Sequence, residues 1–137
     1  MILLTNSYKG RILNPEVTNL ALKHFIDVET PEYSILELGE DNLSEYVGEY
    51  EAKLTAVKVA VKEGNLTLSQ RHLGGFPTED VKTESTEPSS PQVYGFYEKD
   101  HIIGLEKENR HNFAQFVRDT NGDIKWLRSG SRLHKRL

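Results

Sequence analysis

The sequence predicts a mainly β protein in which an antiparallel meander closes into a barrel or a sandwich. The first observation is a strand over residues 57–62, where valines alternate with lysine or alanine and create one apolar face. The second is Gly64-Asn65, which supplies a tight turn before Leu66 and Leu68 resume the alternation. The third is that strand-like segments recur at a spacing of ~8–12 residues, with turn residues between them.

The segment before this sheet predicts a short strand followed by one α-helix. Met1 to Thr5 is the apolar strand, and Asn14-Pro15-Glu16 is a strong helix start. Asparagine caps a helix, proline suits its first position and an acidic side chain suits its first turn. Apolar residues then recur at helical spacing until Thr30-Pro31 ends the helix. The stripe comprises Val17, Leu20, Ala21, His24 and Val28, widened by Phe25 and Ile26.

Residues 43–51 predict one helical turn and a tyrosine-rich kink that lead into the long strand ending at Val61. Asn42 is the expected cap, and Glu45 lies three residues later, where it can complete a capping box. Residues 78–91 are polar and contain prolines, so we expect a long loop between strands.

Two later hairpins and a final strand complete the predicted sheet. The first hairpin joins residues 92–97 to residues 101–107, and the second joins residues 113–118 to residues 124–127. The basic tail from Arg128 to Leu137 begins as the last strand.

Composition excludes several classes of function. The 137 residues are 36% hydrophobic and 28% charged, which is typical of one soluble globular domain. A net charge of −4 argues against a nucleic-acid partner, and the basic tail can pair with the acidic run over residues 29–51. The absence of cysteine excludes disulfides and thiolate sites. No apolar run approaches the ~18–20 residues of a membrane span, and Met1 to Leu4 is too short for a signal peptide.

The sequence predicts no metal ion and no cofactor. Its five histidines have no His-x-His or His-Glu-x-x-His spacing. Asp119-x-Asn121-x-Asp123 begins like a calcium-binding loop, but Ile124 replaces the expected glycine and Gly130 replaces the expected glutamate. A polar hairpin turn explains this segment better than an ion site.

Several segments occur together in the order typical of a known family. They are Leu3-Leu-Thr-Asn-Ser7 with the helix to Phe25-Ile26, Leu43-Ser-Glu-Tyr-Val-Gly-Glu-Tyr-Glu51, Glu63-Gly-Asn-Leu66, and Phe116-Val-Arg-Asp119 with Gly122 and Ile124-Lys-Trp-Leu127. The chain thereby resembles the C-terminal part of serine β-lactamase-like hydrolases, which include penicillin-binding-protein-like esterases and peptidases. Many members end in a lipocalin-like antiparallel β-barrel. The resemblance therefore implies a barrel of about eight strands, preceded by a short strand and one α-helix.

The resemblance also implies a division of the chain. Residues 1–30 would be the last strand and helix of a serine-hydrolase domain, residues 31–42 a linker, and residues 43–137 the barrel. The expected partner is the parent hydrolase's catalytic domain. The chain itself lacks Ser-x-x-Lys, Tyr-x-Asn or Ser-x-Asn, and Lys/His-Thr-Gly, so it lacks the activated serine and its base. We therefore expect an accessory domain that is not an enzyme.

Two other functions remain open. The barrel interior can be plain core, or it can bind a small apolar ligand. The candidate ligand-binding residues are Tyr94, Phe96, Phe116, Arg118 and Trp126. Arg118 can meet an anionic group at the barrel mouth, or it can pair with Asp119, Asp123 or a nearby glutamate. The helix over residues 15–28 can instead form a homodimer through its apolar stripe.

Overall fold

A closed antiparallel β-barrel dominates the computed structural model, which describes residues 2–7, 9–75, 84–110 and 112–137, except the side chains at positions 11 and 40. Two helices precede eight strands within these ranges. The elements are α1 Gly10–Ile26, α2 Glu40–Ser44, β1 Gly48–Ala52, β2 Thr55–Lys62, β3 Asn65–His72, β4 Gln92–Glu98, β5 His101–Gly104, β6 Phe113–Arg118, β7 Ile124–Ser129 and β8 Arg132–Arg136. Each strand pairs with the next, and β8 pairs with β1. The predicted mainly β barrel is confirmed.

The predicted strand at the N-terminus is wrong over residues 2–5, which have no regular secondary structure. Ile2 and Leu4 are each 88% exposed. A strand needs a neighbour to satisfy its backbone hydrogen bonds, and within the described residues each strand of the closed barrel already pairs with a strand on either side. An apolar run of this length therefore stays extended without becoming a strand.

Helix α1 begins four residues before the predicted cap and ends before the predicted stop. Ser7 starts the first turn, because its hydroxyl accepts the Lys9 N–H and its carbonyl accepts the Gly10 N–H. Asn14 therefore lies inside the helix, where its side-chain oxygen is buried without a hydrogen-bond partner among the described residues. At the other end, Asp27 adopts a left-handed conformation and donates its N–H to the Lys23 carbonyl.

The capping box at Asn42 is also wrong. Helix α2 is five residues long with Gly39 at its N-cap, so Asn42 lies inside it, and Glu45 extends toward the barrel. The tyrosine-rich kink is a strand instead. β1 and β2 form a hairpin around Lys53-Leu54, in which Tyr50 lies opposite Val57 and Glu49 lies opposite Lys58.

The β2–β3 hairpin is confirmed, with its turn shifted by one residue. Lys62 pairs with Asn65, and the two turn residues are Glu63 and Gly64, with φ values of 52° and 75°. Positive φ at both central residues fits the twist of the flanking strands, and glycine adopts it without a Cβ clash. The valine face also behaves as expected, since Val57 and Val59 are buried.

The segment before α2 packs along the outside of β4. The Leu36 N–H donates to the Phe96 carbonyl oxygen at 2.7 Å, which makes a single β-bridge. The Tyr33 ring lies 4.6 Å from the Tyr97 ring and 5.5 Å from the Phe113 ring, measured between centroids. This aromatic cluster attaches residues 33–36 to the barrel wall.

The later hairpins follow the prediction closely. β6 has the predicted bounds, and Asp119 shapes the β6–β7 turn because its Oδ1 accepts the N–H groups of Asn121 and Asp123 at 2.9 and 3.1 Å. Gly122 has a φ of 92°, so the polar-turn interpretation is confirmed. Residues 78–83 of the predicted loop over residues 78–91 lie outside the described residues. Its remainder continues along β3, where Thr86 and Ser89 donate N–H groups to strand carbonyls.

Close packing between β5 and the following loop gives a test of the fold. Asn109 is 1% exposed, and its side chain donates to the Val93 carbonyl at 3.0 Å while accepting the Glu106 N–H at 2.8 Å. A Cβ at Gly104 would overlap the backbone and side chain of Asn109.

We expect Gly104→Ala to lower the free energy of unfolding by about 2–3 kcal/mol, because overpacking a buried site forces the backbone to move. Urea denaturation followed by far-UV circular dichroism measures this change. Gly39→Ala is the matched control, since a Cβ there meets no atom within 4 Å and we expect a loss below about 1 kcal/mol. Equal losses in the two variants would contradict the packing argument.

Candidate functional site

One end of the barrel is closed by Leu43 of α2, by Tyr46 from the connection between α2 and β1, and by Tyr50 of β1. We call this the closed end; the turns β2–β3, β4–β5 and β6–β7 also lie there. Tyr46 enters the interior, and its ring lies 4.7 Å from the rings of both Phe96 and Phe116. The Tyr50 hydroxyl donates to the Tyr46 backbone carbonyl at 2.9 Å. Leu43 is 3% exposed and packs into the same core, so the closed end is filled by side chains.

Arg118 connects this aromatic core to the surrounding turns. Its Nε and one terminal nitrogen donate to the two oxygens of Asp100 at 2.9 and 2.8 Å. Both terminal nitrogens also donate to Glu45, and one donates to the Gly122 carbonyl at 2.8 Å. The Tyr46 hydroxyl donates to Asp100 at 2.9 Å. We call Glu45, Tyr46, Asp100 and Arg118 the Arg118 cluster.

The cluster uses all the donors of the arginine. A guanidinium has five N–H groups, and the two carboxylates with the Gly122 carbonyl account for each of them. Arg118 thus pairs with Glu45, a nearby glutamate of the kind the sequence suggested. It also pairs with Asp100, which the sequence did not indicate as a partner. The predicted role in binding an anion has no free donor to support it at this end.

The charges of the cluster set its titration behaviour. The hydrogen bond from Arg118 holds the pKa of Glu45 below its usual range. Burial alone would raise the pKa of Asp100, but hydrogen bonds from Arg118 and Tyr46 together hold it below the usual value. Burial, assisted by the hydrogen bond to Asp100, raises the pKa of Tyr46 to about 12. Both carboxylates are therefore ionised and Tyr46 is neutral at pH 7.

As far as the described residues go, the opposite end of the barrel is open. This open end carries the β1–β2 turn, the β7–β8 turn and the loop over residues 105–112. A cleft of about 1320 Å³ lies there, lined by strand residues and by one side of the first half of α1. Its deepest lining residues are Val57, Leu68 and Tyr94, which are all buried. The open end is therefore the part of the barrel that a small molecule can enter.

The predicted ligand-binding residues fall into three places. Phe96 and Phe116 are 2% and 1% exposed and belong to the packed core of the closed end, where Arg118 also lies. Tyr94 lines the cleft at the open end. Trp126 is half-buried, pairs with Val117 and Lys135, and alternates with the buried Leu127, so it lies on the outer face of the wall. Of the five, the structure brings only Tyr94 to the open cleft.

A buried histidine lies beneath the open end. His134 is 2% exposed, its Nε2 lies 2.8 Å from the Thr55 hydroxyl and its Nδ1 lies 3.3 Å from the Leu127 carbonyl. The carbonyl can only accept, so Nδ1 carries the proton and the threonine hydroxyl donates to Nε2. Burial lowers the pKa of His134, which favours this neutral form. Neither Thr55 nor His134 lines the cleft.

The described residues provide no other obvious centre. No group of three or more histidine or carboxylate side chains among them is placed to hold a metal ion. Within the same part of the chain, neither helix is long and apolar enough to cross a bilayer.

We expect Arg118→Gln to lower the free energy of unfolding by about 2 kcal/mol or more, because it leaves the half-buried Asp100 without its cation. Lys125→Gln is the matched control: Lys125 lies 3.7 Å from Asp119 and is half exposed, so we expect a loss of about 0.5 kcal/mol or less. Urea denaturation at pH 7 measures both. A loss in Arg118→Gln no larger than the control's would contradict a structural role for the cluster.

The same cluster predicts a pH dependence. Glu45 and Asp100 have lowered pKa values in the folded state. Their contribution to the free energy of unfolding is therefore fully present above their unfolded-state pKa values of about 4. That contribution is lost as the pH falls through this range toward the folded-state values. The stability difference between wild type and Arg118→Gln should therefore shrink between about pH 5 and pH 3. A difference that stays constant or widens on acidification would exclude the two carboxylates as its source.

The fold, though not the family, has counterparts among known proteins. No family model matches the chain, and no curated protein matches it. The chain is similar to a solved structure described as "Crystal structure of SurE with D-Leu", with a TM-score of 0.52 and 20% identity over 96% of this chain and 28% of that one. A second, "Crystal structure of SurE", has a TM-score of 0.51 and 20% identity over 90% of this chain and 26% of that one. The chain thus spans about a quarter of the length of either solved protein, and identity at this level shows the fold alone.

Proposed function

We propose that this chain is a non-catalytic C-terminal accessory domain of a β-lactamase-like serine hydrolase. Its barrel packs beside the catalytic domain and shapes how substrate enters or is oriented there. The observation that carries this proposal is the exposure of large apolar side chains along α1. Leu20 is 69% exposed, Phe25 79% and Ile26 62%, while the barrel completes its own core without them.

Exposed apolar side chains on a helix favour a covering partner. Exposed apolar side chains that stand close together mark interaction surfaces more often than ordinary surface. Helix α1 contributes none of the buried residues in the barrel core. The hydrolase resemblance supplies the partner, since residues 1–30 match the part of the family where the last helix of the catalytic domain would lie.

The length of the structural neighbours also supports an accessory role. The matched region makes up 28% and 26% of those two solved proteins, so this fold occurs within longer chains. The absence of Ser-x-x-Lys from the chain supports a non-catalytic role, because acyl transfer by this family needs a serine beside its lysine base.

A small-molecule-binding barrel is the second candidate, and the cleft at the open end favours it. The SurE structure was solved with D-Leu, so a protein with a region of similar fold does bind a small amphipathic molecule. Homodimerisation through the 15–28 helix is a third candidate that the same exposed side chains favour. Light scattering with and without residues 1–30 separates it from the accessory role, because only a dimer loses half its mass when the helix is removed.

In the full-length hydrolase, we expect Phe25→Glu to weaken the contact between α1 and the catalytic domain. Charging a docked apolar side chain should lower the thermal midpoint of the catalytic domain or change kcat/KM by about tenfold. Leu133→Glu is the matched control, because Leu133 is a leucine that is 50% exposed on the barrel rather than on α1. Calorimetry and steady-state kinetics measure the two variants.

Three outcomes would reject the proposal. The first is mass-spectrometric evidence that the natural protein consists of these 137 residues alone, without a domain that contains Ser-x-x-Lys. The second is a hydrolase in which Phe25→Glu behaves like the control. The third is stoichiometric acylation of the purified 137-residue chain by a penicillin or an ester probe, since that would make it an enzyme by itself.

A further inference from the structure

Polar side chains without partners surround the cleft at the open end. They are Gln70, Gln92, Asn112, Ser129 and Arg132. None of these side chains makes a hydrogen bond or an ion pair with the rest of the described chain. They come from β3, β4, β7, β8 and the loop before β6, so separate parts of the barrel wall direct them to one opening.

The strand pattern fixes the direction of these side chains. Gln70 follows the buried Leu68 by two residues on β3, and Gln92 precedes the buried Tyr94 by two residues on β4. Residues two apart on a strand share a face, so both amides lie directly above the apolar floor of the cleft. Ser129 and the buried Leu127 have the same relationship on β7. An apolar floor with a few converging polar groups is the usual composition of a ligand site.

Arg132 supplies an exposed positive charge at the rim of the cleft. It lies two residues before the buried His134 on β8, on the face that looks into the barrel. Its charge adds to burial in lowering the pKa of His134, so the guanidinium is close to the interior. The other charged residues lining the cleft, Lys9, Glu16, Lys107 and Glu108, belong to α1 and the 105–112 loop. Arg132 is therefore the cation that the barrel wall itself holds over the floor.

We propose that the open end binds a small amphipathic carboxylate. Its apolar body lies against Val57, Leu68 and Tyr94, and its carboxylate accepts hydrogen bonds from Arg132, with Gln92 and Ser129 as further donors. A planar guanidinium suits a carboxylate because it donates two parallel hydrogen bonds. This site gives the second candidate function a ligand class, and it does not depend on the accessory role.

Calorimetric titration of the 137-residue chain with decanoate tests the proposal. Decan-1-ol and decyltrimethylammonium have the same apolar body without the negative charge. We expect saturable decanoate binding, and binding at least about tenfold weaker for the other two, because a hydrogen bond to a charged group typically contributes that factor. This comparison uses the wild-type chain and so requires no variant to fold.

Arg132→Gln should weaken decanoate binding about tenfold. Arg128→Gln is the matched control, because Arg128 lies on the neighbouring strand, is exposed, and is not part of the cleft. On titration, the amide NMR signals of residues in β3, β4 and β8 at the open end should shift. The amide signals of the Arg118 cluster should stay unchanged. Absence of saturable binding, equal binding of the three probes, or an equal loss in both arginine variants would overturn the proposal. The accessory role would stand after any of these results, since the full-length hydrolase tests it separately.

Discussion

The ion pair between Arg118 and Asp100 is the interaction on which the shape of this barrel depends. It joins the end of β6 to the β4–β5 turn, and it positions the hydroxyl of Tyr46 through the same carboxylate. Because Tyr46 packs on two phenylalanines of the interior, the ion pair decides where the aromatic core ends. A charged pair of this kind is stabilising when its geometry is good and further hydrogen bonds satisfy its groups, and here all five N–H groups of Arg118 have acceptors.

Closure at one end determines where function can lie. The interior near Tyr46, Phe96 and Phe116 is filled, so an entering molecule can reach only the half of the barrel that opens between β3, β4, β7 and β8. The two ends thus have different chemistry: the charges of the closed end pair with one another, and the open end carries polar side chains that have no partner among the described residues. The same barrel can therefore be a rigid structural unit and a small container.

Helix α1 differs from both ends of the barrel because it exposes large apolar side chains to water. Leu13, Leu20 and Phe25 are exposed, and the first half of the helix only borders the open cleft. Exposed apolar area of this kind is unfavourable in water, and a partner that covers it gains the corresponding free energy. The proposed accessory role would cover these side chains with a hydrolase domain, whereas a stand-alone monomeric container would leave them exposed.

The sequence by itself determined the strand content, the later hairpins and the β6–β7 turn, because alternation and turn residues act over only a few positions. It also determined that the hydrolase motifs are absent. The tertiary structure decided what depends on distant residues: Arg118 meets Glu45 across 73 positions, so no local pattern could identify that partner. It turned Trp126 outward and gathered at the open end five polar groups that have no partner within the described ranges, because barrel closure brings together strands that are far apart in the chain. Local signals also failed where tertiary contacts outweighed them, as at Asn42, whose capping partner Glu45 binds Arg118 instead.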